Sequence, residues 1–124
     1  MLFEMNSERL LKAKVVALIL SKEPEEALEL LSRFYKIEAP ELKVGMPKGH
    51  GKNPACYTAK DRTIHMANRE NLHNAFLLLH EFYHHLRTRV KEHKGTEGYA
   101  DKFARDFIEA YNAVNVSIST KHKK

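Results

Sequence analysis

The sequence predicts an α+β chain: an N-terminal helical hairpin, a small, mostly antiparallel three-stranded sheet, then two more helices. Three observations predict it. Apolar residues recur at helical spacing from about residue 7 to 35, and β-compatible runs broken by glycine and proline fill 41–67. Helical spacing then returns from 69 to beyond 108. At 124 residues this reads as one domain, 1–124, with material for a single modest core.

The first helix is predicted over about Ser7 to Ser21, capped by Asn6 or Ser7, with Leu10, Leu11, Val15, Leu18 and Ile19 on its inner face. A second starts at Pro24, a residue suited to the first helical turn, with Glu25 and Glu26 favourably placed against the helix dipole. Ala27, Leu28, Leu31, Phe34 and Tyr35 form its apolar face, and Pro40 bars continuation. Leu42 to Val44 reads as a short strand. ACYTA and TIHMA read as a hairpin around Lys60–Asp61–Arg62. The intervening glycines lack the spacing of a phosphate-binding loop.

A long helix is predicted from about Arg69 to His93, stopped by Gly95, with a stripe of Leu72, Ala75, Phe76, Leu79, Tyr83, Leu86 and Val90. The last helix opens at Thr96 and turns Ala100, Phe103, Ala104, Phe107 and Ile108 inward. VNVSIST, 114–120, alternates apolar and polar residues, which reads either as a strand or as a frayed terminus.

Composition sets the class. With 43% hydrophobic and 30% charged residues, the chain has the balance of a soluble globular protein. The longest apolar run, Val15 to Leu20, is far short of a membrane span, and the N-terminus lacks signal-peptide character. Cys56 is the only cysteine, so no internal disulfide forms, and the expected location is the cytoplasm. A net charge of +5 reads as cations spread over helix surfaces, because no nucleic-acid-binding motif accompanies it.

The chemistry lies in LLLHEFYHHL, 77–86. His80, Glu81 and His84 form HExxH in the most apolar stretch of the chain, where polar groups are costly without partners. Residues four apart share a helix face, about 6 Å apart along the axis, so two imidazoles can converge on one Zn²⁺ at about 2.0–2.1 Å. Glu81 points about 100° away. From there it reaches a water whose pKa zinc would lower toward ~7, and accepts its proton. Arg87 and Val90 stand where a longer HExxHxxGxxH motif would have glycine and histidine. His93 and Glu97 are then the candidates for a third ligand. His93 is about 13 Å further along the same helix, whereas Glu97 follows a turn at Gly95, so geometry favours Glu97.

HEFYH followed by Glu97, Ala100 and Asp101 resembles the gluzincin peptidases, in which a helix bearing ExxxD or ExxAD follows HExxH. Size and element order resemble the minigluzincins, and the segment from Glu97 to Ala104 resembles ImmA/IrrE-like zinc peptidases. The resemblance implies a zinc metalloendopeptidase in which His80, His84 and Glu97 bind zinc, Glu81 is the catalytic acid and base, and Asp101 supports a ligand histidine. A metal-bound imidazole usually donates its other N–H to a carboxylate, which suits Asp101. The resemblance also implies a peptide or protein substrate laid along an edge strand, here Thr63 to Ala67, and an oxyanion-stabilising side chain from among Tyr99, Tyr111, His65 and His85. A strand at 114–120 could add to the open sheet edge of its own cleft, keeping the peptidase latent, or of a second copy, making a dimer in place of a monomer. Two alternatives stand: a catalytically silent zinc-binding regulatory module, and an SprT-like protease with His93 as third ligand.

Overall fold

The computed structural model describes residues 2–90 and 96–122, with side chains over 7–90 and 96–115. Helix α1 (Leu2–Leu20) and helix α2 (Pro24–Tyr35) form the expected hairpin. Strands β1 (Glu41–Val44), β2 (Ala55–Thr58) and β3 (Thr63–Met66) form the sheet. A 3-10 turn (Glu70–His73) leads into α3 (Ala75–Arg89), and α4 (Glu97–His122) completes the chain. Among the described residues, no helix is long and apolar enough to cross a membrane.

The α+β architecture is as expected, but several details differ. Helix α1 begins at Leu2, so Asn6 and Ser7 lie inside it, not at its cap; leucine and methionine around them are good helix formers. Charged and apolar residues are mixed around this helix, which blurs its period. Leu10 is 54% exposed, while Ala13 and Val16 join Val15 and Ile19 in the core. Phe34 of α2 is also exposed, its ring edge-on to Tyr35 at 4.9 Å. Helix α2 stops before Pro40: Lys36 adopts a left-handed φ of 60°, and N–H groups of Lys36 and Ile37 close onto the Arg33 and Ser32 carbonyls.

The sheet order is β1-β3-β2. The β2–β3 hairpin is antiparallel, Cys56 opposite His65, but β1 joins β3 in parallel, Leu42 opposite Ile64. The sheet is therefore mixed, and β3 is its centre. The expected edge strand, Thr63 to Ala67, is thus not an edge. Ile64 and Met66 are wholly buried, which is the burden of a central strand. The open edge nearest the helices belongs to β2.

Helix α3 starts at the Asn74 cap, whose side chain accepts the Leu77 N–H at 3.1 Å, and ends at Arg89 with Val90 extended. It is shorter than the period suggested, and it is buried on more than one face. Leu78, Phe82 and His85, outside the expected stripe, are fully buried beside Leu79 and Leu86. Helix α4 runs through 114–120, so the expected strand does not form; the alternation there is overridden by continuation of a helix already nucleated upstream. The proposed latency through a tail strand loses its basis with it.

Phe82 links the layers. Its ring lies 6.2 Å from Tyr35 of α2 and stacks at 6.3 Å on Phe103 of α4, which in turn meets Tyr83 at 5.3 Å and Phe107 at 4.8 Å. Phe82→Ala is expected to cost about 3–5 kcal/mol of stability, read from the shift of the urea-unfolding midpoint.

Candidate metal centre

Three elements build the site. Helix α3 carries His80, Glu81 and His84, the first turn of α4 carries Glu97 and Asp101, and β2 forms the opposite wall. Helix α4 is started by Thr96, whose hydroxyl accepts the Tyr99 N–H at 3.2 Å, so Glu97 sits at its first position as expected. Ala100 and Ala104 are fully buried, and their small side chains allow α4 to approach α3 closely.

The three expected ligands converge. His80 Nε2 lies 2.8 Å from Glu97 Oε1, His84 Nε2 lies 3.0 Å from Glu97 Oε2, and the two Nε2 atoms are 3.3 Å apart. Ligand atoms of His80, His84 and Glu97 all lie within 4.8 Å of one another, a grouping that could hold a metal ion. Donors bonded at about 2.0–2.1 Å to one tetrahedral ion sit roughly 3.3–3.4 Å from each other. The imidazole pair meets that spacing, and the carboxylate needs to withdraw by only a few tenths of an ångström. Nitrogen and carboxylate oxygen together are a donor set that zinc accepts.

Asp101 lies against His80. Its Oδ1 lies 2.8 Å from His80 Nδ1. The carboxylate accepts, so Nδ1 carries the hydrogen and donates. That hydrogen bond leaves Nε2 free to offer its lone pair toward the cluster. His84 is pushed below the ordinary imidazole pKa by burial, which favours the neutral, ligating form, while Glu97 opposes the shift.

Glu81 lines the same cleft and is 8% exposed. Burial raises its pKa from the usual carboxylate range to about 7; nearby His80 lowers it and Glu97 raises it. A carboxyl group near neutrality can both take and return a proton at physiological pH.

The cleft encloses about 600 Å³ and is walled by Phe76 and Leu77 on α3, and by Ala55, Cys56 and Tyr57 on β2. Tyr57, Cys56, Arg87 and His50 line it without having been singled out; only contact across the fold identifies them, since none lies in a motif. None of the four expected oxyanion donors lines it among the described residues. His65 faces Thr58 at 3.1 Å, His85 is buried against Tyr57, Tyr111 packs on the core, and Tyr99 is 45% exposed. His93, the competing ligand, lies outside the described residues. A larger groove of about 730 Å³ runs between α1 and α4, where Lys12 pairs with Glu8 at 3.5 Å and lies over the Phe107 ring.

No protein-family model, no curated protein and no solved structure matches the chain. The functional reading therefore rests on the chemistry of these residues alone.

Cys56 places a thiol in the cleft, and its surroundings disfavour the reactive thiolate. Burial, then the Glu81 carboxylate, raises the thiol pKa above its ordinary value. Cys56 alkylation by iodoacetamide is expected to need a higher pH than a free thiol does. Glu81→Gln should bring the midpoint of the rate–pH profile down.

Proposed function

We propose that the chain is a zinc-dependent metalloendopeptidase of the gluzincin type, in a minigluzincin-like format. The observation that carries the reading is the meeting of Glu97 from α4 with His80 and His84 from α3, with Glu81 beside them and Asp101 behind His80. Sequence spacing alone supports two ligands; convergence of a third residue from another helix supports a site.

His80, His84 and Glu97 would hold the ion. When bound, zinc supplies Lewis acidity, acidifying water and polarising a carbonyl oxygen. Glu81 then takes the proton from the attacking water and delivers it to the amine of the leaving peptide, a role suited to a carboxyl whose pKa lies near 7. Asp101 holds His80 in the tautomer that ligates. A peptide substrate fits the shape of the cleft: among the described residues β2 has β3 on one side and no strand on the other, so its open edge can pair with an extended backbone. That role falls to β2, not to the strand at Thr63. Intact Glu81 favours catalysis over a silent zinc-binding module, because a structural ion needs no base. A single cysteine and the absence of any internal disulfide fit a cytoplasmic enzyme.

Metal analysis of the purified protein is expected to find one zinc per chain. Glu81→Gln should retain that zinc while lowering kcat for peptide hydrolysis by about 10²–10⁴-fold. Asp101→Ala should weaken zinc binding by about 10–100-fold, and Glu97→Ala should weaken it further, measured by competition with a chromogenic chelator. Normal zinc affinity in Glu97→Ala, with loss in His93→Ala, would move the third ligand to His93.

A further inference from the structure

Tyr57 belongs to two structures at once. The Ala67 N–H donates to the Pro54 carbonyl at 2.9 Å, and with Cys56 opposite His65 this sets the phase of the β2–β3 ladder. Pro54, Cys56 and Thr58 turn their backbone groups toward β3. Ala55 and Tyr57 therefore turn theirs to the open edge of β2. The backbone of Tyr57 thus faces the open edge, while its side chain projects from a face of the sheet and reaches His85 on α3.

The Tyr57 hydroxyl lies 2.8 Å from His85 Nδ1, and His85 Nε2 lies 2.8 Å from the Glu38 carbonyl oxygen. A carbonyl carries no proton, so Nε2–H must be the donor there. Nδ1 is then a lone pair, and the Tyr57 hydroxyl donates to it. His85 is wholly buried while its partners Tyr57 and Glu38 are more exposed, so the loss of either bond falls chiefly on the histidine ring. The far end of the relay is anchored too. The Glu38 carboxylate pairs with Arg62 at 3.0 Å, and the Arg62 carbonyl accepts the Glu41 N–H that opens β1.

His85 follows His84 by one residue, about 100° around the helix. One turn of α3 therefore carries a ligand facing the cleft and an anchor facing the sheet. Helix and open edge cannot shift independently while the relay holds.

We propose that the Tyr57–His85–Glu38 relay sets the position of the open β2 edge relative to the His80, His84 and Glu97 cluster, and so aligns an extended peptide for attack. Tyr57 and His85 are positioning residues in this role, which rests on the metallopeptidase reading above. The relay touches neither the reacting atoms nor the metal site. Its loss should appear in substrate alignment and not in metal affinity.

Three variants separate the possibilities. Tyr57→Phe keeps the ring and removes the donor. His85→Leu keeps bulk and removes both bonds, whereas His85→Gln retains an N–H donor and an acceptor. Tyr57→Phe and His85→Leu are expected to raise KM for peptide substrates about tenfold, the scale of one lost buried hydrogen bond. Their zinc dissociation constants should stay within about twofold of wild type. The Cys56 and Thr58 amides, bonded to β3, should exchange hydrogen faster, and His85→Gln should approach wild type in all three measurements. Unchanged KM and unchanged exchange in Tyr57→Phe would overturn the proposal. So would a rise in KM matched by an equal loss of zinc affinity, which would make the relay a support for His84. If wild-type protein hydrolyses no peptide with zinc bound, the functional reading fails by itself. Amide exchange in Tyr57→Phe then still decides whether the relay holds the strand.

Discussion

Close approach of α4 to α3 is the constraint on which the rest of the molecule depends. Ala100 and Ala104 are wholly buried, and between them Phe103 fits among Phe82, Tyr83 and Phe107. Small residues let the backbones come near; the aromatic between them fixes the register. One turn earlier, the same register puts Glu97 against both imidazoles and Asp101 behind His80. A bulkier residue at 100 or 104 would separate the helices and dissolve the cluster without touching any of its members.

Helix α3 answers a competing demand. It must be apolar enough to sit at the centre of the fold, yet it carries His80, Glu81, His84 and His85. Each burial is matched by a partner. Asp101 serves His80, Tyr57 with Glu38 serves His85, and Glu97 meets the Nε2 atoms of His80 and His84 in a grouping that could hold a metal ion. Glu81 is the exception, and it meets the penalty by a pKa raised to about 7. A carboxyl left at the edge of ionisation is a cost to the fold and a resource for proton transfer.

The helices were largely legible because their signals are local. Pro24, Thr96 and the spacing of Ala27, Leu28 and Leu31 each act within a turn or two of chain. Where a helix carries apolar residues on several faces, the period says little. Leu10 of α1 was expected inside and lies exposed, while Phe82 and His85 of α3 were missed although fully buried. The segment 114–120 shows the reverse failure, since alternation with β-branched residues could not outweigh continuation of a long helix.

The sequence by itself determined the two histidines and the glutamate of HExxH as one helical unit, because the 3.6-residue period fixes which side chains share a face. It also marked Glu97 and Asp101, one turn apart, as a second such unit. Only the tertiary structure decided that the two units meet, that β2 and not β3 offers the open edge, and that Tyr57 reaches His85 across 28 residues of chain. Backbone dihedrals are set by neighbours in sequence. Strand order and helix approach are set by which distant surfaces exclude water together, and no local pattern records that choice.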